Sequence, residues 1–304
     1  MDLLQLLHKS IILQHQMKSN NSTIGEIESL IYLLEDPDPE VQSGVRERFR
    51  ELGENAVPLL DQYRSGSMKS SEKEMINSLI YSITRDNLLE DYADLISNGI
   101  YSVEDLESAM LTLSRLGNPT LRTEDIRKKL DKMASGIGSK VAYTPSMSEK
   151  MQIMLQYLFR ELRFRGDADN YHHLDNAYLD RVIERRKGLP IMLSLVMLFI
   201  SRRLGLPFYG VNMPIHFMLM YETHNQVILI DPFDGGTIVT YNQCYYFLKK
   251  NGIDPRPEHL SKAKPSDILI RCIRNLINSY RKLKDEERVA DLYKLLRLTE
   301  GETD

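Results

Sequence analysis

The stretch PIHFMLMYETHNQVILIDPFDGG (residues 214–236) holds two apolar runs around a polar centre. His216–Tyr221 and Gln226–Asp231 flank Glu222-Thr223-His224-Asn225, and a run of turn formers follows at Asp231-Pro-Phe-Asp-Gly-Gly236. Runs of this length, bounded by turn residues, read as two antiparallel strands of a hairpin. A turn over residues 222–225 sets position 221 opposite 226 and His216 opposite Asp231. Residues directly opposite share a sheet face, with Cβ atoms about 4.5–5.5 Å apart. A one-residue slip would put them on opposite faces. A carboxylate against an imidazole fixes the ring's tautomer and orientation, which is half of a catalytic triad. The same pair also fits a ligand-binding or a purely structural role.

Upstream, Gly188-Leu-Pro190 opens a strongly apolar helix that runs to Arg203 and is closed by Gly205. A helix N-terminus is where a thiolate or oxyanion is best stabilised. The residues there are Leu189, Pro190, Ile191, Met192, Leu193 and Ser194, with no cysteine. Ser194 is the nearest hydroxyl and a candidate nucleophile, although a serine one turn into a helix commonly back-bonds to it. The chain has two cysteines, Cys244 and Cys272, placed after the His–Asp pair, and both read as small buried hydrophobes.

The segments NAYLDRVIERRKGLPIMLS (176–194), Arg203-Leu-Gly-Leu-Pro207, Pro214-Ile-His-Phe217 and Asp231-Pro-Phe-Asp-Gly-Gly236 resemble, in order and spacing, the SirB family of transglutaminase-like proteins. The resemblance covers about 150–250. It implies an α+β, mostly helical chain with a papain-like or transglutaminase-like core, in which a central helix packs on a small antiparallel sheet. Active transglutaminase-like enzymes order their triad Cys, His, Asp. His216 and Asp231 match the last two, and the cysteine slot falls at Pro190 or Ile191. That departure turns the expectation away from acyl transfer. Asn176, Tyr178, Glu184 and Arg186 belong to the recurring motif. Arg186 is expected either to brace the His216 pocket through a buried carboxylate or to hold a carboxylate or phosphate itself. Tyr171, Pro190, Phe217 and the Tyr241–Tyr246 cluster are expected to wall a groove near His216.

Away from this core the chain reads as helix. Residues 1–140 form an expected helical domain, HEAT-like in part. An N-terminal amphipathic helix (1–19) is followed by a stripe of Leu30, Leu33 and Leu34, an Asp-Pro-Asp-Pro break (36–39), and a second stripe of Val41, Val45, Phe49 and Leu52. A weak second copy of that helix pair is read around Ile76 to Leu95. Ala134 to Ser148 reads as an exposed linker. The transglutaminase-like core then spans 148–250, and a helical hairpin, 265–300, resembles the tetratricopeptide-like tail of bacterial members.

Composition narrows the function. With 39 basic against 43 acidic residues and a net charge of -4, general nucleic-acid binding is not expected. Two cysteines in 304 residues exclude a disulfide framework and a cysteine-rich zinc site, and favour a reducing, cytoplasmic setting. The longest apolar run, Leu189–Ile200, is far short of the roughly 20 residues of a membrane span. His172 and His173 are adjacent, with no second ligand cluster, so neither a metal nor a cofactor is expected. The basic run Arg256–Lys284 reads as a solvated face or a surface for an acidic partner. Three classes of function stay open. One is a binding or regulatory protein with a protein or peptide partner. The others are a cysteine-independent hydrolase or amidase using His216 and Asp231, and a helical interaction scaffold.

Overall fold

The computed structural model describes residues 25–301 apart from 35, 67, 68 and 225, so the expected helix over 1–19 lies outside the described residues. These residues divide into two compact units. The first holds the chain up to Asn87 together with Asn118–Thr120. The second holds Leu88–Gly117 and the rest from Leu121.

In the first unit, helix α1 (25–33) is followed by α2 (Pro39–Leu52) and α3 (Val57–Ser65). Pro39 stands at the first position of α2, where a missing N–H costs nothing, and the Asp38 side chain accepts from the Glu40 amide at 2.9 Å. Val45 and Phe49 are buried as their spacing predicts. On α1 the buried stripe is Ile27 and Ile31, continued by Leu34, rather than Leu30, Leu33 and Leu34; Leu33 is 37% exposed. The spacing i, i+4, i+7 holds, but its phase is set by the isoleucines. The expected second helix pair near Ile76–Leu95 is instead one unbroken 28-residue helix, α4 (Ser70–Ser97), because no Gly or Pro interrupts it.

The second unit contains α5 (Val103–Ser114), α6 (Thr123–Val141), α7 (Met147–Leu155), α8 (Leu179–Arg185) and α9 (Pro190–Arg203). The expected linker at 134–148 is corrected: α6 runs through it to Val141, burying Ala134, Ile137 and Val141 at helical spacing. Gly136 there is a site of close approach, since a Cβ would meet the Tyr157 hydroxyl at 2.4 Å. Every residue of α9 from Pro190 to Ser201 is buried. A helix apolar all round must be central, and α9 packs against α5, α6, α8 and the sheet.

That sheet is a four-stranded antiparallel meander of β3 (Phe208–Val211), β4 (Met218–Glu222), β5 (Val227–Asp231) and β6 (Thr237–Val239). A two-residue parallel pair, β1 (Arg165–Gly166) and β2 (Lys187–Gly188), clamps the entry to α9. Helix α10 (Tyr241–Lys250) follows, then α11 (Pro265–Leu283) and α12 (Glu286–Glu300). The chain is mostly helical α+β, with a central helix packed on a small antiparallel sheet. Among the described residues no helix is long and apolar enough to cross a membrane.

Candidate functional site

The hairpin pairs Leu219 with Ile230 and Glu222 with Val227, and the Thr223 N–H donates to the Gln226 carbonyl at 2.9 Å. Pairing therefore continues into the expected 222–225 turn, and the register is displaced by two residues. Opposite positions sum to 449 rather than 447, so in this register Asp231 faces Met218 and not His216. A shift of two keeps every side chain on its face. His216 also precedes the strand, because β4 begins only at Met218. His216 Nε2 lies 2.9 Å from Asp231 Oδ2.

Both ends of this pair are held. Asp231 Oδ1 accepts the amides of Phe233 (2.9 Å) and Asp234 (3.3 Å), so the carboxylate is fixed by its own turn while Oδ2 meets the imidazole. Ile215 adopts φ +57 and is 53% exposed. A β-branched residue there is strained, at a cost of about 1–3 kcal/mol, and such strain clusters at functional sites. The His216 ring is part-buried, at 16% exposure, and lies edge-on to Phe233 (6.3 Å) and tilted to Phe247 (5.9 Å). With Nε2 on the carboxylate, Nδ1 makes no hydrogen bond to a described residue.

The remaining sequence candidates fall in different places. Tyr171 stands beside the pair, 5.8 Å from Phe233 and 38% exposed. Asn176 is fully buried and ties the loop before α8 to α9: its amide donates to Asn170 O at 2.7 Å and its carbonyl accepts from the Leu189 amide at 3.1 Å. Pro190 is buried at the first position of α9. With the Leu189 amide taken and Pro190 lacking one, these two positions offer no N–H to an oxyanion. Ser194 is corrected as a nucleophile, since it is fully buried with its hydroxyl on the Pro190 carbonyl at 2.8 Å. Phe217 and Tyr178 are core rather than groove residues. Phe217 is 1% exposed, and the Tyr178 hydroxyl bonds the Tyr280 hydroxyl at 2.6 Å. Of the tyrosines at 241–246, Tyr246 is 70% exposed.

Glu184 pairs with Lys129 (2.9 Å) on the surface, with both side chains about half exposed. Arg186 finds no carboxylate among the described residues. It caps α8 with left-handed backbone, and its side chain donates to the Leu162 carbonyl at 3.0 Å. The arginine that reaches a buried carboxylate is its neighbour Arg185, which bonds Asn176 Oδ1 (3.0 Å) and Asp167 (3.1 Å). Sequence does not separate Arg185 from Arg186 because both are basic and only the helix end decides which turns inward. Both thiols are buried. Burial, with the Asp231 charge second, pushes Cys244 up to about 11, and burial pushes Cys272 up to about 12. Neither is a thiolate near neutrality.

A central buried helix on a small antiparallel sheet, with a His–Asp pair at one end of the sheet's central strands, is a transglutaminase-like arrangement, and residues 124–274 match the transglutaminase-like superfamily. This part of the chain is a domain of that superfamily. The chain is also distantly homologous to bacterial UPF0162 proteins and to F-box only protein 21. It is 29% identical over 203 residues to a UPF0162 protein of Xylella fastidiosa, covering 64% of this chain and 72% of that one. A Pasteurella multocida UPF0162 protein is 32% identical over 124 residues (40% and 47%). Human F-box only protein 21 is 26% identical over 232 residues, which is 68% of this chain and 35% of that protein. No solved structure matches the chain.

Proposed function

We propose that this chain is a binding or regulatory protein, resembling the SirB family, that takes a peptide-sized segment of a protein partner in a groove beside His216 and Asp231. The observation that carries this reading is the fixed His216–Asp231 pair set against a helix start occupied by buried Pro190 and Ile191. An imidazole held by a carboxylate presents Nδ1 as a directional hydrogen-bond group. The rings of Phe233, Phe247 and Tyr171 supply apolar wall. A nucleophile is the missing part for acyl transfer, and the two buried thiols, pushed up to about 11 and 12, are poor substitutes. Two free thiols also fit a reducing cytoplasm. The α11–α12 hairpin, similar to a tetratricopeptide-like tail, and the HEAT-like N-terminal helices are further partner surfaces in this reading.

The same His–Asp pair supports a second reading, a cysteine-independent hydrolase with His216 Nδ1 as base on water. One experiment separates them. Peptides are selected on the full chain from a displayed library and then measured on H216A and F233A, with amine incorporation and amide hydrolysis assayed in parallel. Binding should fall at least tenfold in both variants, about 1.4 kcal/mol, with the melting temperature nearly unchanged and no turnover. Selected peptides that bind H216A as well as wild type overturn the groove reading. Turnover lost in H216A establishes the hydrolase instead.

A further inference from the structure

The His216 ring packs among aromatic rings, and the loop that carries it is held by a cation. Phe247 and Phe233 both pack on it, and Tyr171 packs on Phe233. The cation is Arg271 of α11. One of its terminal nitrogens donates to Asn212 Oδ1 (2.5 Å) and to the Met213 carbonyl (2.7 Å). That same carbonyl accepts the His216 backbone N–H at 3.3 Å, so guanidinium and His216 meet on one oxygen atom. Tyr171 is within reach of the same charge: burial raises its phenol, and the Arg271 cation opposes the rise.

A guanidinium carries five N–H donors. Arg271 uses one terminal nitrogen; its Nε and its other terminal nitrogen make no hydrogen bond or ion pair to a described residue. Its two acceptors are neutral, and burial disfavours its charge. A part-buried cation without a counter-charge is costly. The acids around it do not relieve that cost. Asp267, one turn earlier on α11, forms no ion pair with it, and Glu300 is taken by Arg274 at 2.7 Å. These residues and Asn212 line an open cavity of about 360 Å³ on which Arg271 borders.

We propose that Arg271 is the anion-binding end of the groove. It would hold a carboxylate of the bound peptide through Nε and the free terminal nitrogen, while the aromatic rings take the neighbouring residues. The carboxylate is either an acidic side chain or a chain terminus; both present the planar acceptor pair that an arginine fork matches. The proposal rests on reading the groove as a peptide site.

The test uses the full chain and watches the Arg271 Nε–H signal by NMR. Three probes are titrated: N-acetylphenylalanine, with a terminal carboxylate; N-acetyl-phenylalanyl-aspartamide, with a side-chain carboxylate; and the neutral N-acetylphenylalaninamide. At least one acidic probe should shift the signal saturably, the neutral one should not, and the effective acid identifies the source. R271K should weaken that probe roughly tenfold by loss of the bidentate pair, with R274K within about twofold of wild type. The wild-type signal reads the contact directly, so a poorly folded R271K does not spoil the test. Equal binding of the neutral probe, or no shift with either acid, overturns the carboxylate subsite. The groove itself stands or falls separately, on whether H216A releases peptides selected on the wild-type chain.

Discussion

His216 owes its position to one strained neighbour. Ile215 sits at φ +57 with its side chain half in solvent, so its conformation is held by the surrounding loop and not by burial of the residue itself. Glycine adopts that backbone without penalty. I215G should therefore leave stability unchanged or raise it by up to about 1 kcal/mol, while binding at His216 weakens as the loop loosens. A melt and a binding curve on the same variant check this, and a large loss of stability would show that Ile215 packs instead. The thiols give a second test. Their folded values are raised to about 11 and 12 from an ordinary 9.0, so the folded chain keeps protons that the unfolded chain releases. Stability should thus be unaffected below about pH 9 and fall as pH rises from 9 toward 12. Denaturant melts across that range should show a shallower fall in C244S/C272S. An equal fall in that double variant would trace the alkaline loss to other groups.

At the scale of elements, long periodic segments were legible and local geometry was not. The run from Pro190 to Arg203 matches α9, because Pro at the start and a uniform apolar pattern mark it. The hairpin was legible as a hairpin, but its register depended on how far pairing extends toward the tip, which residue types around Thr223 and Gln226 do not determine. Face parity survived the two-residue shift, which is why a wrong register still led to a His–Asp pair. The α6 extension was hidden by Gly136 and Gly138, which read as linker, although Gly136 serves close packing. What no pattern announces is the buried Glu107 of α5. It is fully buried and takes both terminal nitrogens of Arg203 (2.6 and 2.9 Å) and one of Arg127 (3.1 Å), pinning the end of α9. Removing one partner of a buried pair strands the other, at about 3–5 kcal/mol. E107A should lose stability on that scale, and E107L/R203L should recover much of it. Chemical denaturation of the three proteins decides the matter; a double variant no better than E107A would mean that the helices and not the charges set the cost.

Across the second unit, the C-terminal helices are part of the core and not an attachment to it. Helix α11 buries Ile268, Leu269, Cys272, Ile273, Leu276, Ile277 and Tyr280 and packs against α5. The Tyr280 hydroxyl meets that of Tyr178, both nearly inaccessible, and Arg271 reaches the loop that carries His216. At about 1.5–3 kcal/mol for each of five buried Ile and Leu side chains, burial on α11 amounts to about 8–15 kcal/mol as an upper bound. That equals the whole net stability of a typical domain, about 5–15 kcal/mol. A chain ending at residue 264 should therefore keep helical far-UV dichroism but lose near-UV signal and a cooperative melt, and should bind a hydrophobic dye. Y280F is the gentle counterpart. It orphans the Tyr178 hydroxyl and should cost about 1–3 kcal/mol with the fold intact. A cooperative melt in the truncated chain close to that of the full protein would mean that the sheet and α9 fold without α11. In that case Arg271 would have to hold the His216 loop as a docked element and not as part of the core.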